Sequence, residues 1–148
     1  MDKLENIEYL VVHHTGRKYD SPTFVKLRHK LLRGWENNGY HYMIGNGALF
    51  TEEGELYACR PEYYQGAHTK GYNDKSLSVS LIGNYDKAAP TNEQLITLCG
   101  VLTNKAREYN ISIEKIVGHN ELNNHEKTCP GKNIDMNQIR DIISTRLK

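Results

Sequence analysis

The chain has 148 residues, 38% of them apolar, with 19 lysines and arginines against 18 aspartates and glutamates. A chain of this length buries roughly 68–70% of the surface its unfolded form exposes, so one compact domain is expected and disorder is excluded on composition. A net charge of +1 gives no broad footprint for nucleic acid or an anionic membrane, although a local basic patch can hide inside a neutral total.

In chain order, the apolar, β-branched run IEYLVVHH predicts a buried strand from about Ile7 to His13, with function at its C-terminal end. Ser21-Pro22 supplies an N-cap and a proline at the first helical position. Phe24, Leu27, Leu31, Leu32 and Trp35 follow at helical spacing and predict an amphipathic helix ending near Gly34 or Asn38-Gly39, with Trp35 on its apolar stripe and in the core. Tyr40 to Ile44, Ala48 to Thr51 and Glu55 to Ala58, separated by Gly-Asn-Gly and Glu52-Glu53-Gly54, read as a three-strand meander. The polar, aromatic stretch from Cys59 to Lys75 has no period and predicts a long functional loop walling a cleft. Ser76 to Ile82 alternates serine with Leu77, Val79 and Leu81, a further strand. Thr91 with Gln94 forms a capping box, and Leu95, Leu98, Cys99, Leu102 and Ala106 form the buried stripe of the helix it opens. Asp135 caps a last helix whose apolar face runs through Ile139, Ile142, Ile143 and Leu147. The sum is an α/β chain, a single domain over 1–148 with a central mixed β-sheet flanked by about three helices.

Three cysteines, Cys59, Cys99 and Cys129, are an odd number without close pairing, and beside seven histidines they point to a metal and not to disulfides. There is no HExxH pair and no CxxC knuckle, so a metal site must be assembled from distant segments. The candidates are His13 or His14 at the strand end, His119 in IVGHNEL and Cys129 in EKTCPG. Adjacent strand residues face opposite sides, so His13 and His14 do not both reach one metal. Two histidines and one thiolate leave a fourth tetrahedral position for water, the pattern of a catalytic zinc, and hydrolysis is the chemistry that follows.

The segments VVHHTG, GYHYMIG, GAHTKGYND, SLSVSLIGNY, IVGHNEL and KTCPGKNID, in this order, resemble the zinc-dependent N-acetylmuramoyl-L-alanine amidases related to T7-type phage lysozyme and the peptidoglycan recognition proteins. The resemblance spans about residues 7 to 135. It implies one Zn2+ per chain in a surface cleft, held by His13, His119 and Cys129, and cleavage of the amide between muramic acid and L-alanine in bacterial peptidoglycan. It matches Tyr40 and Lys127 to the family's catalytic pair, and His68 to a histidine lining the substrate, with Tyr72 and Asn73 beside it. His14 is then a packed or hydrogen-bonded neighbour behind the site, His41 a buried structural residue, His29 a solvated helical residue without function, and His125 a rival ligand less well matched than His119. Tyr63 and Tyr64 are further candidates to touch a glycan or peptide.

No apolar run approaches the about 20 residues of a membrane helix, and MDKLENIEYL has no apolar signal region. The expectation is a monomeric phage or prophage endolysin without a separate wall-binding domain, made in the cytoplasm and needing outside help, such as a holin, to reach the wall. Its partner is peptidoglycan, with no nucleic acid. Two competing readings are a non-catalytic peptidoglycan-binding protein of the same fold, against which Cys129, Lys127 and Tyr40 argue, and a phage regulator of a cytoplasmic partner, which nothing in the sequence tests.

Overall fold

The alternation of serine with leucine and valine sets how the sheet is used. The computed structural model describes residues 1–35, 38–122 and 127–148. Its strands are β1 (Tyr9–His14), β2 (Tyr42–Ile44), β3 (Leu56–Ala58), β4 (Ser76–Leu81) and β5 (Ile116–Gly118). They form one mixed sheet in the order β3-β2-β4-β1-β5. Neighbours are parallel except for the β2–β3 pair. Among the described residues three α-helices accompany it, α1 (Pro22–Arg33), α2 (Asn92–Tyr109) and α3 (Met136–Leu147).

Register assigns the two faces. Leu10 pairs with Leu77 and Ile116, and Val12 with Val79, so these residues share a face. With Leu98 and Leu102 of α2 and Ile139 and Ile143 of α3 they make the main core. Each fully buried leucine or isoleucine contributes about 1.5–3 kcal/mol, so this face anchors the fold. On the other face Val11 pairs with Ser78 and His13 with Ser80. Ser76, Ser78 and Ser80 are buried there, where hydroxyls need partners. The His41 amide donates to Ser78 Oγ at 3.0 Å, and Ser76 Oγ donates to the Tyr72 carbonyl at 2.7 Å. One face therefore holds the main core, and the other carries polar chemistry beside a small apolar cluster of Val25, Met43 and Ile82.

The caps form as the sequence predicts. Gln94 N donates to Thr91 Oγ1 at 3.1 Å and Thr91 N returns a bond to Gln94 Oε1 at 3.2 Å. Gln138 N donates to Asp135 Oδ1 at 3.1 Å, and Phe24 N to Ser21 Oγ at 3.1 Å. Gly34 ends α1 in the left-handed conformation, φ +70°, where glycine has no Cβ to strain.

Two expectations fail. Ala48 to Thr51 is not a strand. It is a turn closed by Thr51 N on the Ala48 carbonyl at 3.0 Å, with Leu49 and Phe50 both at positive φ. The apolar stripe of α1 also does not face the core. Val25 is the buried residue of this helix, while Phe24, Leu27, Leu31 and Leu32 are 48, 48, 72 and 79% exposed. Helical spacing identifies residues that share a face, but not the side on which the rest of the protein lies.

The start of α1 is fastened by a buried carboxylate. Asp20 Oδ2 accepts from Arg28 Nη2 at 2.7 Å, and Oδ1 accepts from Arg28 Nη1 at 2.9 Å and from Ser21 N at 3.0 Å. The Asp20 side chain is fully buried, whereas Arg28 is 27% exposed. Arg28→Ala therefore strands a charge in the interior, and a loss of about 2–3 kcal/mol is expected in urea unfolding, below the range for fully buried pairs because the cation is partly solvated. Asp20→Asn, which frees an arginine that can reach water, is expected to cost less.

Candidate functional site

Register brings the first two donors together. Val12 lies opposite Gly118, so the residues that follow, His13 at the end of β1 and His119 just beyond β5, leave parallel strands side by side at their carboxyl ends. Their ring centroids are 4.6 Å apart. This is the crevice where open α/β sheets place ligands. The third donor arrives on a loop tied to the same strands. Asn120 N donates to the Cys129 carbonyl at 2.7 Å, and Asp86 accepts from Thr128 Oγ1 at 2.7 Å and from Lys132 N at 3.0 Å. The His14 amide then donates to Cys129 Sγ at 3.4 Å, and that sulfur lies 3.5 Å from His13 Nδ1.

Among the described residues, His13, His119 and Cys129 form the group of donors able to hold a metal, one ligand atom from each lying within 4.8 Å of the others. Tetrahedral zinc with bonds of about 2.0–2.3 Å needs such atoms roughly 3.3–3.8 Å apart. The cluster is thus close to the size zinc requires, and its two imidazoles and one thiol are zinc's preferred donors. His13 is buried, and that burial, with His68 and His119 nearby, holds its pKa well below the ordinary imidazole range, so the ring is neutral and ready to ligate. Its Nε2 is engaged by His68 Nδ1 at 3.0 Å and Thr69 Oγ1 at 3.2 Å, which leaves Nδ1 for the cluster. Burial, then Lys127, lowers His119 as well. Burial pushes the Cys129 thiol up to about 12, against the pull of the His14 amide and Lys127.

The donors open into a cleft of about 490 Å³ whose walls include Trp35, Tyr40, Lys70 and Lys127. The Tyr40 ring centroid is 5.3 Å from that of His13. Burial, then the neighbouring Cys129, raises its phenol above the ordinary value, so it is a neutral hydrogen-bond donor at physiological pH. Gly39 lets the cleft walls close up. A Cβ there would come within 2.4 Å of the Ala67 carbonyl oxygen, and Ala67 N donates to the Gly39 carbonyl at 2.9 Å.

Seven of the eight sequence candidates line this cleft: His13, Tyr40, His68, Asn73, His119, Lys127 and Cys129. Asn73 also braces the loop, its Oδ1 accepting from the amides of His68 and Thr69 at 3.0 Å each. Tyr72 does not line the cleft. Its ring stands edge-on to Tyr9 at 5.4 Å with Lys75 Nζ 5.0 Å above it, because the turn that points Asn73 inward points its neighbour out. Tyr63 and Tyr64 lie against the N-terminal segment, where Leu4 N donates to the Tyr63 carbonyl at 2.8 Å. His14 accepts from Tyr85 N at 3.1 Å behind the cluster, and His41 is buried between Ser78 and the Tyr64 carbonyl, both as expected. His125 lies outside the described residues.

Sequence reasoning did not name Thr69 and Lys70 of the cleft wall, and it misassigned His29 and Trp35. His29 accepts from Gly39 N at 2.9 Å and meets Trp35 edge-on at 4.8 Å. Burial, with Arg28 and Arg33 beside it, lowers its pKa to about 4. Trp35 is half-buried in the cleft wall and not in the core. The His29 misassignment follows from the orientation of α1, and that of Trp35 from the helix ending at left-handed Gly34, which takes Trp35 off the stripe and turns it to the cleft. The available signal was the spacing of Val25 and His29, four residues apart and therefore on one face.

The model of the family described as N-acetylmuramoyl-L-alanine amidase matches residues 3–132. The chain is 31% identical over 143 residues to peptidoglycan-recognition protein SC2 of Drosophila simulans, covering 90% of this chain and 73% of that protein. Its fold is similar to a solved endolysine N-acetylmuramoyl-L-alanine amidase, LysCS of Clostridium intestinale, with a TM-score of 0.86 at 26% identity over 97% of this chain and 87% of the other. It is also similar to a chain of the ectodomain complex of peptidoglycan recognition proteins LCa and LCx, solved with tracheal cytotoxin bound, with a TM-score of 0.74 at 26% identity over 90% and 81% of the two chains. The strand-end histidine pair, the cleft and the loop-borne cysteine thus sit on a shared framework, and the chain belongs to the N-acetylmuramoyl-L-alanine amidase family.

Proposed function

We propose that the chain is a zinc-dependent amidase that hydrolyses the bond between N-acetylmuramic acid and L-alanine in bacterial peptidoglycan. The observation that carries this reading is the convergence, in one cleft, of three zinc-type donors with a phenol and an ammonium group. His13, His119 and Cys129 would hold one zinc ion. When bound, zinc supplies a Lewis acid for the scissile carbonyl and a water nucleophile at neutral pH.

The chain's own groups do the rest. Tyr40, kept neutral by burial, donates a hydrogen bond to the oxygen on which negative charge develops. Lys127, an exposed residue lining the same cleft, offers a cation to the same developing charge. His68 and Thr69 hold the His13 ring, and Asn73 fixes the loop carrying them, which forms one wall for the substrate. Likeness to an endolysine amidase supports a role in lysis; that the protein is made in the cytoplasm, acts on the wall after release and works as a monomer is part of the proposal.

A second reading, recognition of peptidoglycan without hydrolysis, is favoured by the likeness to recognition proteins and opposed by the complete donor set with Tyr40 and Lys127. Digestion of purified peptidoglycan with and without a chelator, followed by mass analysis, separates the two. Stem peptides with a free L-alanine amino terminus, released only without chelator, are the expected result. Binding without release would establish the recognition reading, and liberated sugars would refute both.

A further inference from the structure

α1 is amphipathic, but its apolar side is turned outward. Val25 and His29, four residues apart, face the protein, and on the opposite crest Phe24, Leu27 and Leu31 stand at i, i+3 and i+7 in solvent. Across a hollow of about 340 Å³ that Phe24 shares with Leu49 and Phe50, the crest continues onto the turn after β2. Phe50 is fully exposed there, and both turn residues hold positive φ, a conformation that bulky side chains avoid unless the surrounding structure imposes it. The result is a row of large apolar side chains raised from the surface.

Along α1 the charges beside this row are basic. Between Ser21 and Trp35 the sequence has four cations, Lys26, Arg28, Lys30 and Arg33, and no carboxylate; Arg28 is paired with Asp20, and the exposed acids near the row, Glu52 and Glu53, lie beyond the turn at Phe50. Lys26 and Lys30 are exposed on the flank of the crest. The neutral total charge thus conceals a local basic patch, and it lies on α1, the one helix among the described residues whose apolar face is unburied.

We propose that this face docks on an anionic lipid bilayer, with α1 lying in the membrane interface. An apolar crest flanked by lysine is the arrangement of helices that bury one face in the headgroup boundary while their cations meet anionic lipid. A second copy of the chain fits less well, because a two-fold contact through this crest brings the lysines of the two copies toward one another. Carbohydrate fits less well too, since leucine and phenylalanine crests offer no hydrogen bonds to hydroxyls. The far end of α1 gives Arg33 and Trp35 to the cleft, so docking holds the site at the membrane side of the wall.

Co-sedimentation of the full chain with phosphatidylglycerol vesicles tests this. The wild-type chain is expected to pellet with them, less so as salt is raised, and not with pure phosphatidylcholine. The double variants L27E/L31E and K26E/K30E, exposed positions outside the cleft, are each expected to weaken binding about tenfold or more, with unchanged melting temperature and unchanged pelleting with isolated peptidoglycan. Absence of wild-type binding, or undiminished binding by both folded variants, overturns the proposal. So does loss of peptidoglycan pelleting in L27E/L31E, which would give the crest to the wall, or a concentration-dependent dimer abolished by it without any lipid binding. None of these readouts depends on hydrolysis, so failure here is distinct from failure of the amidase reading.

Discussion

Cys129→Ser is expected to abolish zinc retention and hydrolysis while leaving the fold intact. A serine hydroxyl does not ionise near neutral pH, so the variant keeps two neutral imidazoles and no anionic donor. Loss of an outer-shell partner alone typically lowers metal affinity by 10–100-fold, and loss of a direct thiolate donor should exceed that. The main core lies on the opposite face of the sheet, so the melting temperature without metal should change little. Competition with a chromophoric chelator measures the loss. Zinc affinity equal to wild type would remove Cys129 from the site.

The same residue sets the pH dependence of loading. Burial holds His13 and His119 below the ordinary imidazole value and pushes the Cys129 thiol up to about 12. At neutral pH the imidazoles are therefore already neutral, the thiol still carries its proton, and ligation must release it. Zinc uptake is expected to release about one proton per chain, with affinity rising about tenfold per pH unit through the neutral range. In Cys129→Ser both effects should vanish. Calorimetry in buffers of different ionisation enthalpy counts the protons, and release of two or more would mean that the imidazoles start protonated.

Lys127→Ala is expected to lower turnover on peptidoglycan by about 10²–10³, the usual cost of removing one oxyanion-stabilising group. KM should move far less, because a group directed at developing charge acts on the transition state more than on the bound substrate. Lys127 also exerts a field on His119 and Cys129, so its loss should disturb zinc affinity slightly, without emptying the site. Near-normal turnover of the zinc-loaded variant would exclude Lys127 from the chemistry.

Much of this protein follows from local rules. Thr91 with Gln94 and Asp135 with Gln138 act within one turn of helix, so their caps need no tertiary partner to be recognised. Serine alternating with leucine from Ser76 to Leu81 fixes which residues share a face of β4, because the strand period is two. Cys129, His119 and the strand-end histidines could be selected by donor type and placed by resemblance, since zinc constrains the chemistry of its donors more than their spacing.

Other features are relations between segments, and no local period contains them. Val12 opposite Gly118 is what sets His13 beside His119, and Asp86 holding both Thr128 and Lys132 is what places Cys129 against them. Ala48 to Thr51 has strand-like composition, yet the backbone turns with Leu49 and Phe50 at positive φ. In α1 the spacing alone shows that Phe24, Leu27 and Leu31 share a face. That this face meets solvent and that His29 meets the cleft depends on packing against the rest of the chain, because helical period carries phase but not direction; Trp35 joins His29 because Gly34 ends the helix before it. Direction is set by what the sheet's polar face and the loop around Gly39 accept against them.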